Sequence, residues 1–544
     1  MARVLNPRPK NFEINLRTNI YVDKSGLINI TNAKIGTSRR FMCVSRPRRF
    51  GKTSDVNMLA AYYSCDADTR DLFKNLEIAR SDSFEIYLNK FNVIFLTMVK
   101  FFDKVNSVEE GIAKIENKIR KELKIKFSDI EFDDDDLETM FDEIYENTDV
   151  PFIFLIDEWD CILRMKRYSQ ADQKQYLDFL RNLLKDNDYV GLAYMTGILP
   201  IKKYGEHSAL NMFNEYSMID QKELVDFTGF TEDEVKKLCI ENHMPFEKTK
   251  EWYNGYILTK VLNYQQSIND DLDYEDMYKL EEIYIYNPRS VVESMENKKY
   301  SSYWNSTENY EALKTYIQMN FDGLREKVIQ MIAGEEVKIN IASFQNDMLS
   351  FKSADDVLTL LVHLGYLTYN ETTQTVRIPN HEVTLEFLNS IETGGWEEVA
   401  DAIKLSDKLL EYTTAMKNEK VAEIIAKVHR NNTSIIKYNN ENALSCVLSL
   451  AYYTAKKDYH IFRELPAGEG FADLVLVPKK NVSRPAMIIE LKWNQDVKTA
   501  RNQIEDKHYV ESLAGYKGDI LLVGINYDKV SKKHECSIEK IAYN

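Results

Sequence analysis

Arg46-Pro47-Arg48-Arg49-Phe50-Gly51-Lys52-Thr53-Ser54 is the stretch on which the reading of this 544-residue chain turns. A short apolar run, Phe41-Met42-Cys43-Val44, precedes it, and a helix-compatible segment continues from Ser54 to Tyr63. Strand, tight turn carrying Gly-Lys-Thr, then helix is the layout that cradles nucleotide phosphates. Backbone N–H groups and the helix N-terminus face the anion, Lys52 neutralises phosphate charge, and Thr53 can hold magnesium. Arg46, Arg48, Arg49, Phe50, Gly51, Lys52, Thr53 and Ser54 are therefore candidate contacts for ATP. One position departs from the standard spacing, which wants glycine at 46, where arginine stands.

A second stretch answers the first. Pro151-Phe152-Ile153-Phe154-Leu155-Ile156-Asp157-Glu158 is a short apolar run that ends in two acids. It reads as a buried parallel strand, and the carboxyl ends of such strands are where an α/β sheet gathers its ligands. Asp157 is expected in the magnesium shell, and Glu158 is expected to polarise the water that attacks the γ-phosphate. A further apolar strand, Val190 to Met195, ends in Thr196. In P-loop ATPases with an additional strand between the two motifs, a polar residue at that place senses the γ-phosphate. Alternating strands and helices predict a parallel, doubly wound sheet up to about residue 225.

Hydrophobic residues make up 44% of the chain, with 19 Gly and 11 Pro, which predicts an ordered globular protein of several domains. Six scattered cysteines without a CxxC pair predict reduced thiols in a cytoplasm, neither a disulfide frame nor a zinc site. No apolar run approaches a membrane span. The net charge of −16 argues against indiscriminate coating of nucleic acid, yet residues 436–544 hold 16 basic and 14 acidic residues. A near-neutral C-terminal part on an acidic body leaves a nucleic-acid substrate open there.

That part carries the second constellation. Gly470-Phe471-Ala472-Asp473 opens the run Leu474 to Val477; after a polar turn the chain returns as Ala486-Met487-Ile488-Ile489-Glu490-Leu491-Lys492. Pairing the strands about the middle of the turn puts Asp473 opposite Glu490, and period-two alternation puts Lys492 on the face of Glu490. Two carboxylates supply hard oxygen ligands for magnesium, and Lys492 can orient a water or neutralise the transition state of phosphodiester hydrolysis. The competing reading is a hairpin with a charged outer face.

In order along the chain, YVDKS (21–25), RPRRFGKT, FLIDEWD, TGILPI, GFTEDEV (229–235), WYNGY (252–256) and YNPRSV (286–291) resemble the bacterial AAA-ATPase-like family found with a C-terminal PD-(D/E)XK nuclease domain. In that family the phosphate turn also lacks the first glycine, so Arg46 is what the resemblance expects. The family usually has YDGY where Asn254 stands and YNPW where Arg289 stands. The resemblance also implies that Glu441 matches an acid on the first helix of the nuclease fold, a further metal ligand, and that Gln503 matches a polar residue on the helix after the core hairpin. Arg48, Arg49 and Arg289 are candidates for an arginine finger.

The expected fold is α/β: a P-loop AAA-ATPase-like domain (1–225), a helical lid or extension (226–335), a winged-helix-like module (336–395), a helical linker (396–435) and a PD-(D/E)XK nuclease-like domain (436–544). The winged-helix-like reading rests on a helix, Ala354 to Leu364, followed by a hairpin. The expected activity is ATP binding and hydrolysis with magnesium, coupled to cleavage of nucleic acid, DNA first. The alternative is a nucleotide-dependent switch or scaffold whose nuclease-like domain binds a partner without cutting. No membrane partner is expected, and a homo-oligomer stays open.

Overall fold

The computed structural model describes residues 3–133, 136–201, 210–263, 278–304, 310–319, 321–345, 351–394, 396–432, 448–467, 470–480, 482–493, 516, 518–528, 530–531 and 533–543. The chain divides into two compact units, one formed by 1–306 with 338–383 and the other by 307–337 with 384–544.

The first unit is built on a five-stranded sheet of β1 (Phe41–Ser45), β2 (Asn92–Thr97), β3 (Phe152–Asp157), β4 (Val190–Gly197) and β5 (Asn214–Tyr216). Its order is β2-β3-β4-β1-β5 and every pairing is parallel. β1, β3 and β4 are buried along their whole length, which is why their sequences read as continuous apolar runs without alternation. The register sets Val44 beside Thr196 and Thr196 beside Asp157, so strand ends from β1, β4 and β3 form one polar rim. β4 lies between the strand that feeds the phosphate turn and the strand that ends in acids, as the threonine reading requires.

Beyond this sheet the helical reading of residues 226–335 needs correction. β6 (Phe230–Thr231), β7 (Tyr256–Asn263) and β8 (Tyr278–Tyr286) form an antiparallel sheet in the order β6-β8-β7. Their aromatic and β-branched residues suit a pleated surface better than a helix. Helices do flank them: Glu232–Glu241 opens on a reciprocal capping box between Thr231 and Glu234, and Pro288–Asn297 is capped by Asn287. β9 (Val337–Lys338) comes next in the chain. The Ala354–Leu364 helix is then followed by β10 (Thr368–Asn370) and β11 (Thr375–Arg377), which pair antiparallel.

The second unit holds β12 (Tyr459–Ala467), β13 (Gly470–Pro478), β14 (Ala486–Trp493), β15 (Gly518–Asp528) and β16 (Lys533–Tyr543), ordered as numbered. β14 and β15 run parallel and the other neighbours antiparallel, giving a mixed sheet. Val475, Ala486, Ile488, Ile520 and Leu522 form a fully buried cluster on one face. Helices Glu397–Thr414 and Asn418–Asn432 precede this sheet in sequence, as their period predicts.

Candidate functional sites

The phosphate turn leaves β1 at Ser45 and enters the Lys52–Tyr63 helix through Gly51, whose φ of 87° lies where a side chain would be strained. Lys52 is buried, and its Nζ donates to the carbonyls of Arg46 (2.9 Å) and Pro47 (2.7 Å) within its own turn. Burial lowers its pKa to about 8 against the pull of Asp160 and Asp157. Thr53 Oγ1 donates to Asp157 Oδ2 at 2.9 Å, and Thr196 Oγ1 donates to Asp157 Oδ1 at 2.6 Å. Three residues chosen from three separate stretches of sequence thus meet on one carboxylate.

A cavity of about 580 Å³ opens beside them, lined by Arg48, Arg49, Gly51, Lys52, Thr53, Ser54 and Glu158, with Pro288, Arg289, Val292 and Glu293 from the Pro288–Asn297 helix. Four cations face two acids there, a balance that suits a polyphosphate. The residues present fit a nucleotide with its divalent ion: a helix N-terminus and Lys52 for phosphate, and Thr53 with Asp157 for the metal.

Two expected ATP contacts are placed differently. Arg46 is fully buried, and its Nη1 donates to Asp55 Oδ2 at 2.8 Å beneath the helix, so only its backbone belongs to the turn. Phe50 is likewise buried, edge-on to Tyr256 with ring centroids 5.2 Å apart. Both support the turn from behind, because the side chains leave it on the side away from the cavity. Burial raises the Asp55 pKa to about 6 even beside Arg46 and Lys24. Restoring the missing glycine, Arg46→Gly, is therefore expected to destabilise the protein by about 3 kcal/mol through the stranded Asp55. Denaturant unfolding checks this, and unchanged stability with tighter ATP binding would refute it.

Sequence reasoning passed over Asp160. It is fully buried, and its Oδ2 accepts from the backbone N–H of Ile198 (3.0 Å) and Leu199 (2.9 Å) and from Arg164 Nε (3.1 Å). The only signal was its place three residues after Asp157. Gly197 sits between these contacts because a Cβ there would stand 2.6 Å from Trp159 Nε1.

In the second unit, Leu474 pairs with Ile489, Val475 with Ile488 and Leu476 with Met487, the register anticipated from the turn. Asp473 Oδ2 accepts from the Leu491 N–H at 2.7 Å, and Lys492 Nζ donates to Glu490 Oε1 at 3.0 Å. Glu490 is 2% exposed and its Oε2 is buried without a hydrogen-bond partner. Burial, then the charge of Asp473, push the Glu490 pKa up to about 7. A buried, orphaned carboxylate oxygen next to a second carboxylate fits a divalent cation. Among the described residues no group of three His, Cys, Asp or Glu is placed to hold one, and the two carboxylates are what this cluster provides. Glu441 and Gln503 lie outside the described residues. Asn526, missed in the sequence, is buried and stands beside Lys492 in the parallel register of β14 and β15.

These two sites on these two sheets define a P-loop NTPase fold joined to a mixed-sheet domain of nuclease type. Comparison with known families agrees: residues 10–205 match the family described as predicted AAA-ATPase, and residues 439–536 match the PD-(D/E)XK nuclease superfamily. Solved structures similar to it include the Walker-type ATPase paby2304 of Pyrococcus abyssi, at 13% identity and a TM-score of 0.34, covering 68% of this chain and 97% of that one. The ORC2 protein of Aeropyrum pernix follows at 12% identity and 0.29, with 70% and 98% covered. Cdc6p of Pyrobaculum aerophilum matches at 10% and 0.25, with 70% and 97% covered. No curated protein matches the chain. Among the described residues no helix is long and apolar enough to cross a membrane.

Proposed function

We propose that the first unit binds ATP with magnesium and hydrolyses it, and that the second cleaves nucleic acid, DNA in the first instance, by metal-dependent phosphodiester hydrolysis. The observation that carries the nuclease half is the orphaned Oε2 of buried Glu490, close to Asp473 and Lys492. In the ATPase half, Lys52 and the helix N-terminus would bind the phosphates, Thr53 and Asp157 the magnesium, Thr196 would sense the γ-phosphate, and Glu158 would take the proton of the attacking water. Arg48, Arg49 and Arg289 would add phosphate contacts from the cavity wall.

In the second unit Asp473 and Glu490 would hold the metal, joined by Glu441, with Lys492 and Gln503 orienting water or phosphate. A bound divalent ion there supplies a water of lowered pKa and charge for the developing oxyanion. Cys43, Cys65, Cys161, Cys239 and Cys536 are free thiols, which fits a proposed cytoplasmic setting. Single- and double-stranded DNA and RNA, incubated with and without magnesium and ATP, test the reading. Cleavage that needs magnesium and phosphate release that Glu158→Gln suppresses are expected. Absence of cleavage on every substrate leaves the switch reading in its place.

A further inference from the structure

Glu158 has a φ of 56°, a left-handed conformation that a non-glycine residue keeps only when its surroundings hold it there. What holds it is a set of bonds laced between the turn after β3 and the end of β4. Asp157 receives Thr196 Oγ1, the Trp159 N–H donates to the Thr196 carbonyl at 3.0 Å, and Asp160 receives the N–H groups of Ile198 and Leu199. The cation on this lacing is Arg164, in the short helix Cys161–Arg164, 14% exposed at its side chain. It meets Asp160 through Nε alone, at 3.1 Å. Arg164 Nη2 and Asp160 Oδ1 are both buried without a hydrogen-bond partner.

A pair selected for stability alone would be bidentate, since each orphaned buried polar atom costs free energy. This one leaves a donor and an acceptor unused while its charge also acts on Glu158. A single-point contact that adds a third donor to the oxygen of Asp160 already tied to Ile198 and Leu199 does a different job: it bears on where the turn 157–160 sits against β4, and hence on where Glu158 faces the cavity.

We propose that Arg164 is a positioning residue for the ATP hydrolysis read above, acting through Asp160 to keep the strained Glu158 turn aimed at the attacking water. The inference rests on that reading. It places the larger effect of Arg164 on the chemical step: its charge reaches Lys52 as well as Glu158, but the hydrogen bonds that hold Lys52 in the phosphate turn do not involve it.

The test is a double-mutant cycle on the full chain, with steady-state phosphate release as readout. Arg164→Gln is expected to lower kcat about tenfold, the effect of one unit of 1.4 kcal/mol, with KM for ATP within about twofold of wild type. In a Glu158→Gln background the same change is expected to have no further effect on kcat. Arg164→Lys, which keeps the charge and the fold but loses the Nε geometry, is expected to show a smaller loss of about threefold with the same dependence on Glu158. Equal losses in both backgrounds, a rise in KM with kcat kept, or wild-type kcat in folded Arg164→Lys would overturn the role of Arg164 while leaving hydrolysis standing. A wild type that binds ATP and never turns it over removes the hydrolysis reading and this inference with it.

Discussion

Alanine at Asp473 or Glu490 is expected to stop metal-dependent cleavage while ATP turnover proceeds at its wild-type rate. The loss should be on the order of 10²–10³-fold or more, the scale seen when a group that stabilises transition-state charge is removed. The reason lies in the local balance. Glu490 is buried at 2% exposure with one oxygen satisfied by Lys492 and the other by nothing, and burial together with Asp473 drives its pKa to about 7. Such a carboxyl is costly to keep unless a cation completes it. Milder variants separate chemistry from folding: Glu490→Gln keeps the shape, and Asp473→Asn keeps an acceptor for the Leu491 N–H. Both should fold as wild type and both should fail to cut. A Glu490→Gln protein that cleaves at the wild-type rate would make the cluster a charged hairpin face and nothing more.

The sequence made parts of this legible because local rules decided them. β1, β3 and β4 are buried on both faces, so unbroken apolar runs were their signature. The β13–β14 register followed from turn length and alternation, which leave few alternatives once one face is buried. β7 and β8 were misread as helix because their pairing joins Tyr256–Asn263 to Tyr278–Tyr286 across an intervening sequence that has neither glycine nor proline. Their Lys and Glu residues also blur the strand period. The directions of Arg46 and Phe50 could not be read, since a turn residue can send its side chain either way and tertiary packing chose the buried side. Asp160 escaped for a related reason: its partners, Ile198 and Leu199, are far away in sequence and adjacent only once β3 and β4 pair, and Arg164 takes its place from Asp160, four residues before it.

Lys52→Met is expected to weaken ATP binding by about one to two orders of magnitude with little effect on the fold. The Lys52 ammonium is buried and bonded to two carbonyls of its own turn, and burial has already brought its pKa down to about 8. Desolvation thus offsets most of what those two bonds contribute, so an apolar side chain of similar length should leave the melting temperature of the nucleotide-free protein nearly unchanged. With ATP the balance differs. A phosphate oxygen gives the ammonium a full opposite charge inside a cavity that already gathers Arg48, Arg49 and Arg289, and a charge-assisted hydrogen bond there is worth about 1.5–3 kcal/mol. Its loss weakens ATP by roughly 10- to 150-fold. Wild type at ATP–magnesium about a hundredfold above its Kd should gain about 2.7 kcal/mol of apparent stability, and Lys52→Met at the same concentration should keep only about 0.3–1.4 kcal/mol of it. Lys52→Arg should not restore it, because a planar fork cannot replace a compact ammonium held between the Arg46 and Pro47 carbonyls. A Lys52→Met protein that keeps the full ATP-induced shift would mean that the three arginines alone bind the nucleotide and that the phosphate turn has lost its ordinary role.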